Sequence, residues 1–562
     1  MLEGMKHFVV PMFQREYGWK KKNWETLWND ILETYEAGPQ TRQFLGSIVS
    51  KQLPSTPEGV SRFLLIDGQQ RLTTLTLLLA AMRDAAGPSD SDIADKLNRL
   101  YLLNEFASGP ERHKILPTQR DREAYSAIIT GNGDRQTSRL GEAYSYFRAR
   151  LAEPDPNDEQ LDLRRLEQTV VSGIELVSVT LEQPDNEYRI FESLNAKGMP
   201  LTQADLIRNY FFMRLPLVEH EPLYYQVWVP MQSELADKLE DFFRYEFMSG
   251  AQLIPNVGNG VDWKGRFVRE ADVYQEWKNR LDKLAPDRLV EALRVLAHDA
   301  LLYKRIVDPS TEPDNRIAEG LSRLNRWGGQ TMYPFLLNVY QRHEGGRLDG
   351  KEFAQVLNTV ESFLVRRLFA GIPTNALNRL FTALWGQLPA DQSVLDGART
   401  VLSEPGRRWP RDGEFFKGLL QRPLYTDSRP DQRRLILETL EHSYQHKEPV
   451  DLANLTVEHV MPQTLTPEWI KALGPDARNV HRELAHVLGN LTLTGYNPDL
   501  SNRPFAEKRE LLRNSNLEMN KEVAAETEWT RRQIEDRGRR LAEGALKVWP
   551  GPTEQELPSA SQ

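Results

Sequence analysis

The 562-residue chain contains no cysteine. This excludes a disulfide framework, a thiolate nucleophile and a Cys-ligated zinc, so any metal must be held by His, Asp, Glu, Asn or carbonyl oxygens. Long apolar runs are also missing. The most apolar stretch, Leu72–Met82, is broken by threonines and stops at Arg83, well short of the about 20 residues of a membrane span, so no membrane partner is expected. The N-terminal residues carry Glu3 and reach Pro11 after a short apolar patch. They lack the basic, apolar and small-residue regions of a signal peptide, and the expected location is the cytoplasm. Nor is there a basic excess: a net charge of −9 argues against coating nucleic acid nonspecifically, although a local basic groove could still hold it. No G-x-x-x-x-G-K-[ST] occurs, so a bound nucleotide would not sit in a loop of that kind.

What is present, 40% hydrophobic and 27% charged residues, is the composition of a globular protein, and the length allows about three domains. The expected class is α+β, predominantly helical. Residues 1–215 read as mixed structure: an extended Phe8–Trp19, a helix over Trp24–Tyr35, a strand over Phe44–Gln52, a strand, turn and helix over Arg62–Asp84, and a strand over Gly173–Leu181. Glu187–Phe212 reads as two helices joined by a Gly-Met-Pro turn, with Thr202 and Asp205 spaced as a capping box before the second. Residues 216–430 read as a helical middle domain. Residues 431–550 hold two strands, Leu455–Pro462 and Leu488–Thr494, and a helix near Arg503–Ser515, a ββα unit. The tail, 551–562, has few apolar residues and is expected to be disordered.

Three constellations carry chemistry. In IDGQQRL (Ile66–Leu72) a strand delivers Asp67, Gly68 permits a tight turn and Arg71 stands at a helix start whose free N–H groups favour an anion. Asp67 could hold a divalent cation, Gln69 and Gln70 could bond phosphate or place a water, and Arg71 could neutralise developing charge. The alternative is a polar turn with Asp67 as an N-cap. In VPMFQREYGW (Val10–Trp19), Gln14, Arg15 and Tyr17 lie among aromatics, which suits either base stacking and backbone contact or the core side of a strand. Asn195, Lys197, Asp205, Arg208 and Asn209 lie near two helix ends, as caps or as parts of the same site. In the last domain five of the ten histidines fall between His442 and His486. His442, His446 and His481 read as solvated helix residues. His459 follows Glu458 in a strand and precedes Asn490, Asn497 and, in a helix, Lys508. This order supplies a general base, hard oxygen ligands and a cation near phosphate, as metal-assisted phosphodiester cleavage requires.

VPMFQREYGW, FLLIDGQQRLTTL, FESLNAKGMPLTQADLIRNYFF and ESFLVRRLFAGIPTNALNRLF, followed by TVEHVMPQTL, HVLGNLTLTGYN and NRPFAEKRELL, resemble the GmrSD-type modification-dependent restriction proteins, among which are phosphorothioate-sensing SspE proteins. The resemblance implies a ParB/sulfiredoxin-like N-terminal NTPase domain, a helical middle and a C-terminal ββα-metal HNH nuclease domain acting in phage defence. It implies catalytic roles for Asp67, Gln69, Gln70 and Arg71 in hydrolysis of GTP or another NTP. Gln14, Arg15, Tyr17, Gly68, Asn195, Lys197, Arg208 and Lys508 are implied to meet nucleotide or DNA. His459 becomes the general base, Asn490 the residue that orients it, and Glu458 and Asn497 ligands of a divalent metal such as Mg²⁺. Asn497 precedes Pro498, which disfavours helix there, so Asn502 is an alternative to it. DNA and nucleotide are the expected partners, with a homo-oligomer left open. The rival reading is a nucleotide-hydrolysing DNA-binding adaptor whose HNH-like domain does not cleave.

Overall fold

The computed structural model describes residues 1–54, 59–131, 138–154, 161–181, 201–250, 265–444, 446, 450–495 and 500–552. These are mostly helical with a small mixed sheet, an α+β chain. They form two compact units, Met1–Pro230 with Trp277–Leu293, and Met231–Glu276 with Arg294–Gln562. The boundaries expected near residues 215 and 430 fall inside these units.

In the first unit five strands are ordered β4-β1-β3-β2-β5: β1 (Lys6–Val9), β2 (Gln43–Gln52), β3 (Ser61–Asp67), β4 (Ile115–Leu116) and β5 (Ile174–Leu181). β1 runs parallel to β3 and β4, and β2 is antiparallel to β3 and parallel to β5. Of the extended stretch expected over Phe8–Trp19, only its first residues join the sheet. Pro11 has no N–H to offer a ladder, and the chain leaves the sheet there. Among the helices that build the core are α1 (Lys21–Ala37), which buries Trp24, Leu27, Trp28 and Ile31, and α2 (Gln69–Ala86).

Every residue of Leu72–Met82 in α2 is buried. A helix apolar all round is a central core helix, and no helix among the described residues is long and apolar enough to cross a membrane. The helix Gln203–Arg214 opens on the expected capping box, with Asp205 N donating to Thr202 Oγ1 at 3.1 Å and Thr202 N to Asp205 Oδ2 at 3.4 Å. At its other end Arg214 donates to Leu281 O (2.7 Å) and Leu284 O (2.8 Å), which ties the later segment into this unit. The helix expected to precede it lies outside the described residues, as do Asn195, Lys197 and the tail from 553.

The described residues of the second unit are helical apart from one antiparallel pair, β6 (Thr456–His459) and β7 (Leu491–Thr494), in which Glu458 faces Thr492 and His459 faces Leu491. The expected helix follows at Phe505–Arg513. Between the strands the structure adds two short helices, Pro467–Leu473 and Ala477–Leu484. The first starts with proline at a position where its missing N–H costs nothing, after Thr466, whose side chain accepts from Trp469 N. Val460, Met461, Trp469, Phe505, Leu512 and Trp529 form one buried cluster here, with the Phe505 and Trp529 rings stacked at 5.5 Å. The helix Arg531–Val548 is locked against β7 by the buried Arg537, which donates to Gly489 O (2.9 Å) and Leu491 O (2.8 Å).

Gly68, between β3 and α2, has φ +89°, and a Cβ there would stand 2.4 Å from Ile48 Cδ1 and 2.9 Å from Ser47 O. Left-handed strain alone costs about 1–2 kcal/mol. Gly68→Ala should therefore lower the urea midpoint of unfolding of the full chain, and an unchanged midpoint would contradict the close approach of β2.

Candidate functional site

At the end of β3 the chain turns through Gly68 into the uncapped N-terminus of α2. Arg71, one helical turn on, pairs with Asp67 at 2.9 Å, and its buried Nε has no hydrogen-bond partner among the described residues. Arg15 is half-buried: burial lowers its pKa, while the carboxylates of Asp205 and Asp67 act to raise it. Asp205 in turn pairs with Arg208 at 2.7 Å. The turn thus gathers three arginines and two aspartates beside a free helix N-terminus, an arrangement suited to phosphate.

Several residues expected to touch a ligand here have other tasks. Gln14 is buried and donates to Leu65 O (2.9 Å) and Ile66 O (3.0 Å), holding the end of β3. Tyr17 is buried, bonds Thr74 Oγ1 at 2.7 Å and accepts from Trp24 Nε1 at 2.9 Å; burial raises its pKa. Gln70 donates to Glu16 O (3.2 Å) and accepts from Gly18 N (2.8 Å), so its amide latches the Glu16–Gly18 turn. Gln69 donates to Arg15 O at 3.1 Å. Arg208 is buried and donates to Phe13 O, acting through the site's frame and not at its surface.

In the second unit, His459 ends β6 and is 4% exposed. Its Nε2 lies 3.2 Å from His486 Nδ1. The ring of Tyr425 packs edge-on against it at 4.4 Å and stacks on His486 at 5.7 Å. Tyr425 is placed by its own N–H, which donates to His486 O (3.1 Å), and by Arg433, whose guanidinium lies over its ring at 4.1 Å. Burial first, then His486 and Lys508, push the His459 pKa down to about 3, and burial also lowers that of His486. Both rings are neutral near pH 7, the form in which an imidazole can accept a proton or hold a metal.

The flanking residues depart from their expected roles. Successive strand side chains point to opposite faces, so Glu458 does not share the face of His459. Glu458 pairs at 2.6 Å with the fully buried Lys508, which also donates to His459 O at 2.8 Å. Burial raises the Glu458 pKa and lowers that of Lys508, each opposed by the partner's charge. Lys508 therefore cannot reach DNA, and Glu458 is occupied as its counterion and not as a metal ligand. Asn490 is fully buried and donates to Met461 O and Ala485 O, both at 2.8 Å, while accepting from Met461 N (2.8 Å) and Trp529 Nε1 (3.0 Å). It fixes the turn after His459 and has no bond left for imidazole, metal or DNA.

Among the described residues no three His, Asp or Glu side chains converge as a metal cluster. The donor beside His459 is His486, which fits a divalent ion as a neutral imidazole. Asn497 lies outside the described residues, and Asn502 is exposed in the turn before Phe505–Arg513. Sequence reasoning passed over His486 and Tyr425, although His486 stood in the histidine-rich stretch it singled out.

Residues 1–212 match the N-terminal domain of GmrSD restriction endonuclease, and residues 409–544 match the C-terminal domain of GmrSD restriction endonucleases. No curated protein matches the chain.

Because kcat/KM reports the free enzyme, a His459 pKa held near 3 leaves this imidazole unprotonated as the pH falls. The acid limb of cleavage should then be missing between about pH 5 and 7. Tyr425→Ala, which uncovers the ring, should move that limb up toward the ordinary imidazole range; a wild-type limb near the usual value would refute the burial argument. Lys508→Ala leaves Glu458 buried and unpaired and should cost about 3–5 kcal/mol of stability, measured by denaturant unfolding.

Proposed function

The chain belongs to the GmrSD restriction endonuclease family, and from that premise we propose that His459 is the general base of DNA strand scission in an HNH-type ββα unit formed by β6, β7 and the helix Phe505–Arg513. The observation that carries this reading is a neutral imidazole at the end of a strand whose following turn is locked by Asn490. His459 takes the proton of the attacking water. His486 hydrogen-bonds it and, with Asn497 or Asn502, would hold a divalent ion such as Mg²⁺. An ion held there would supply polarisation of the scissile phosphate and charge stabilisation at the leaving oxygen. Tyr425 holds both rings in place and shields them from bulk water.

The N-terminal turn Asp67–Arg71 is proposed as the NTP-hydrolysing site in a ParB/sulfiredoxin-like domain, with GTP one candidate substrate. Arg71 and Arg15 would meet phosphate together with the free N–H groups of α2, and Asp67 would orient Arg71. Nucleotide turnover there, together with sensing of a modification such as phosphorothioate or a modified cytosine, would govern cleavage of phage DNA.

His459→Ala should lower strand scission about 10²–10⁴-fold while leaving nucleotide hydrolysis intact, and Arg71→Ala should cripple nucleotide hydrolysis while leaving the fold intact. Cleavage reduced by less than about tenfold in His459→Ala would remove it as the base. Parallel Asn497→Ala and Asn502→Ala variants identify the better ligand by which one loses more metal-dependent cleavage.

A further inference from the structure

The GIPTN loop (Gly371–Asn375) plays no part in either reading above, yet it forms one wall of a cavity of about 610 Å³ within the second unit. The loop follows the helix Gly350–Phe369 and leads into Leu377–Leu384, whose first turn has no side-chain cap. Three arginines line the space, Arg367, Arg422 and Arg429, and Asp427 is the one carboxylate among the described lining residues. The walls therefore carry a net formal charge of about +2, in a chain whose total is −9.

Each guanidinium is held by the frame. Arg367, which is 94% buried by its 6% exposure, donates to Arg407 O (2.8 Å) and Pro373 O (2.7 Å). Arg429 donates to Gly328 O (3.1 Å) and Trp327 O. Neither has a carboxylate for these bonds, so their charges are not neutralised by a partner. Arg422 pairs with Asp427 at 2.9 Å. The Nε atoms of Arg367 and Arg422 are both buried without a hydrogen-bond partner among the described residues, and buried donors of this kind are uncommon unless a ligand or water meets them. Gly371, at φ +70°, is required here: a Cβ would stand 2.3 Å from Arg422 Nη1, so the loop is shaped to let the guanidinium pass.

Between the charged groups, Trp327, Met332, Leu364 and Ile372 give the cavity an apolar lining, and Asn375 and Asn378 bring exposed amides to it. A volume in the range of small-molecule sites, apolar lining and an excess of cationic side chains together fit an anion attached to an organic body. We propose that this cavity is a phosphate-binding site that takes a nucleotide-sized ligand, separate from the turn at Asp67–Arg71. The phosphate can come from a free nucleotide or from a nucleotide unit of a DNA strand, and the same chemistry recognises both.

The test uses the full chain carrying Arg71→Ala, so that the N-terminal turn does not contribute. Calorimetric titrations are run with inorganic phosphate, with nucleoside mono- and triphosphates, and with a short DNA oligonucleotide. Saturable nucleotide binding is expected. Arg422→Gln should weaken it by about tenfold or more, the loss of one charge-assisted hydrogen bond. Asn378→Asp adds a carboxylate at an exposed position where folding is not at risk, and should weaken it similarly. If the oligonucleotide displaces the nucleotide, DNA is the source; if it does not, the free nucleotide is. Absence of saturable binding by all three probes, or binding that neither variant changes, overturns the proposal. Because the readout is binding, either result leaves the assignment of His459 to strand scission to be judged by its own cleavage assay.

Discussion

The amide of Asn490 has two N–H donors and two acceptor lone pairs, and all four are used inside the protein, on Met461 N and O, Ala485 O and the Trp529 indole. Most of the C-terminal site depends on that saturation. The backbone around Met461 must follow β6 in one conformation, because any other would leave a buried amide unsatisfied. Ala485 O anchors the end of the helix that delivers His486, and Trp529 brings in the segment leading to Arg531–Val548. Lys508 braces the other side through Glu458 Oε1 and His459 O. His459 is thus positioned by its backbone and covered by two rings, with no direct bond from the residue that matters most for its placement.

The first unit uses the same device with different groups. Three glutamine side chains, Gln14, Gln69 and Gln70, bind backbone carbonyls and one N–H of neighbouring segments. They hold the loop after β1 against the end of β3 and the start of α2. Only then do Arg15, Arg71, Arg208, Asp67 and Asp205 lie in one place. The amides and the buried Arg208 build the frame, which leaves Arg15, Arg71 and Asp67 together at the turn.

Much of this was legible in the sequence. The strand, turn and helix around Gly68, the capping box at Thr202 and Asp205, the strand carrying His459 and the helix after Asn502 all follow from local periodicity and turn chemistry, which act over a few residues. What local pattern could not reveal was which polar side chains face inward. Gln14, Tyr17, Gln70, Glu458 and Lys508 have the composition of a ligand site, and tertiary packing turns them into internal bonds. Tyr425 was hidden for a related reason: the polar, proline-containing stretch around it reads as a joint, and only the bond from its N–H to His486 O reveals its place.

The first unit is not contiguous in sequence. Its helix Gln203–Arg214 completes its bonding only with Leu281 and Leu284, after the chain has left for Met231–Glu276 and returned. On the ribosome this imposes an order. At about 5–20 residues per second, the unit must wait several seconds after its own strands have emerged before its last segment arrives, with part of the second unit already made. The two units are therefore synthesised interleaved, and a gene cut after residue 212 or 230 would encode a first unit without its closing piece.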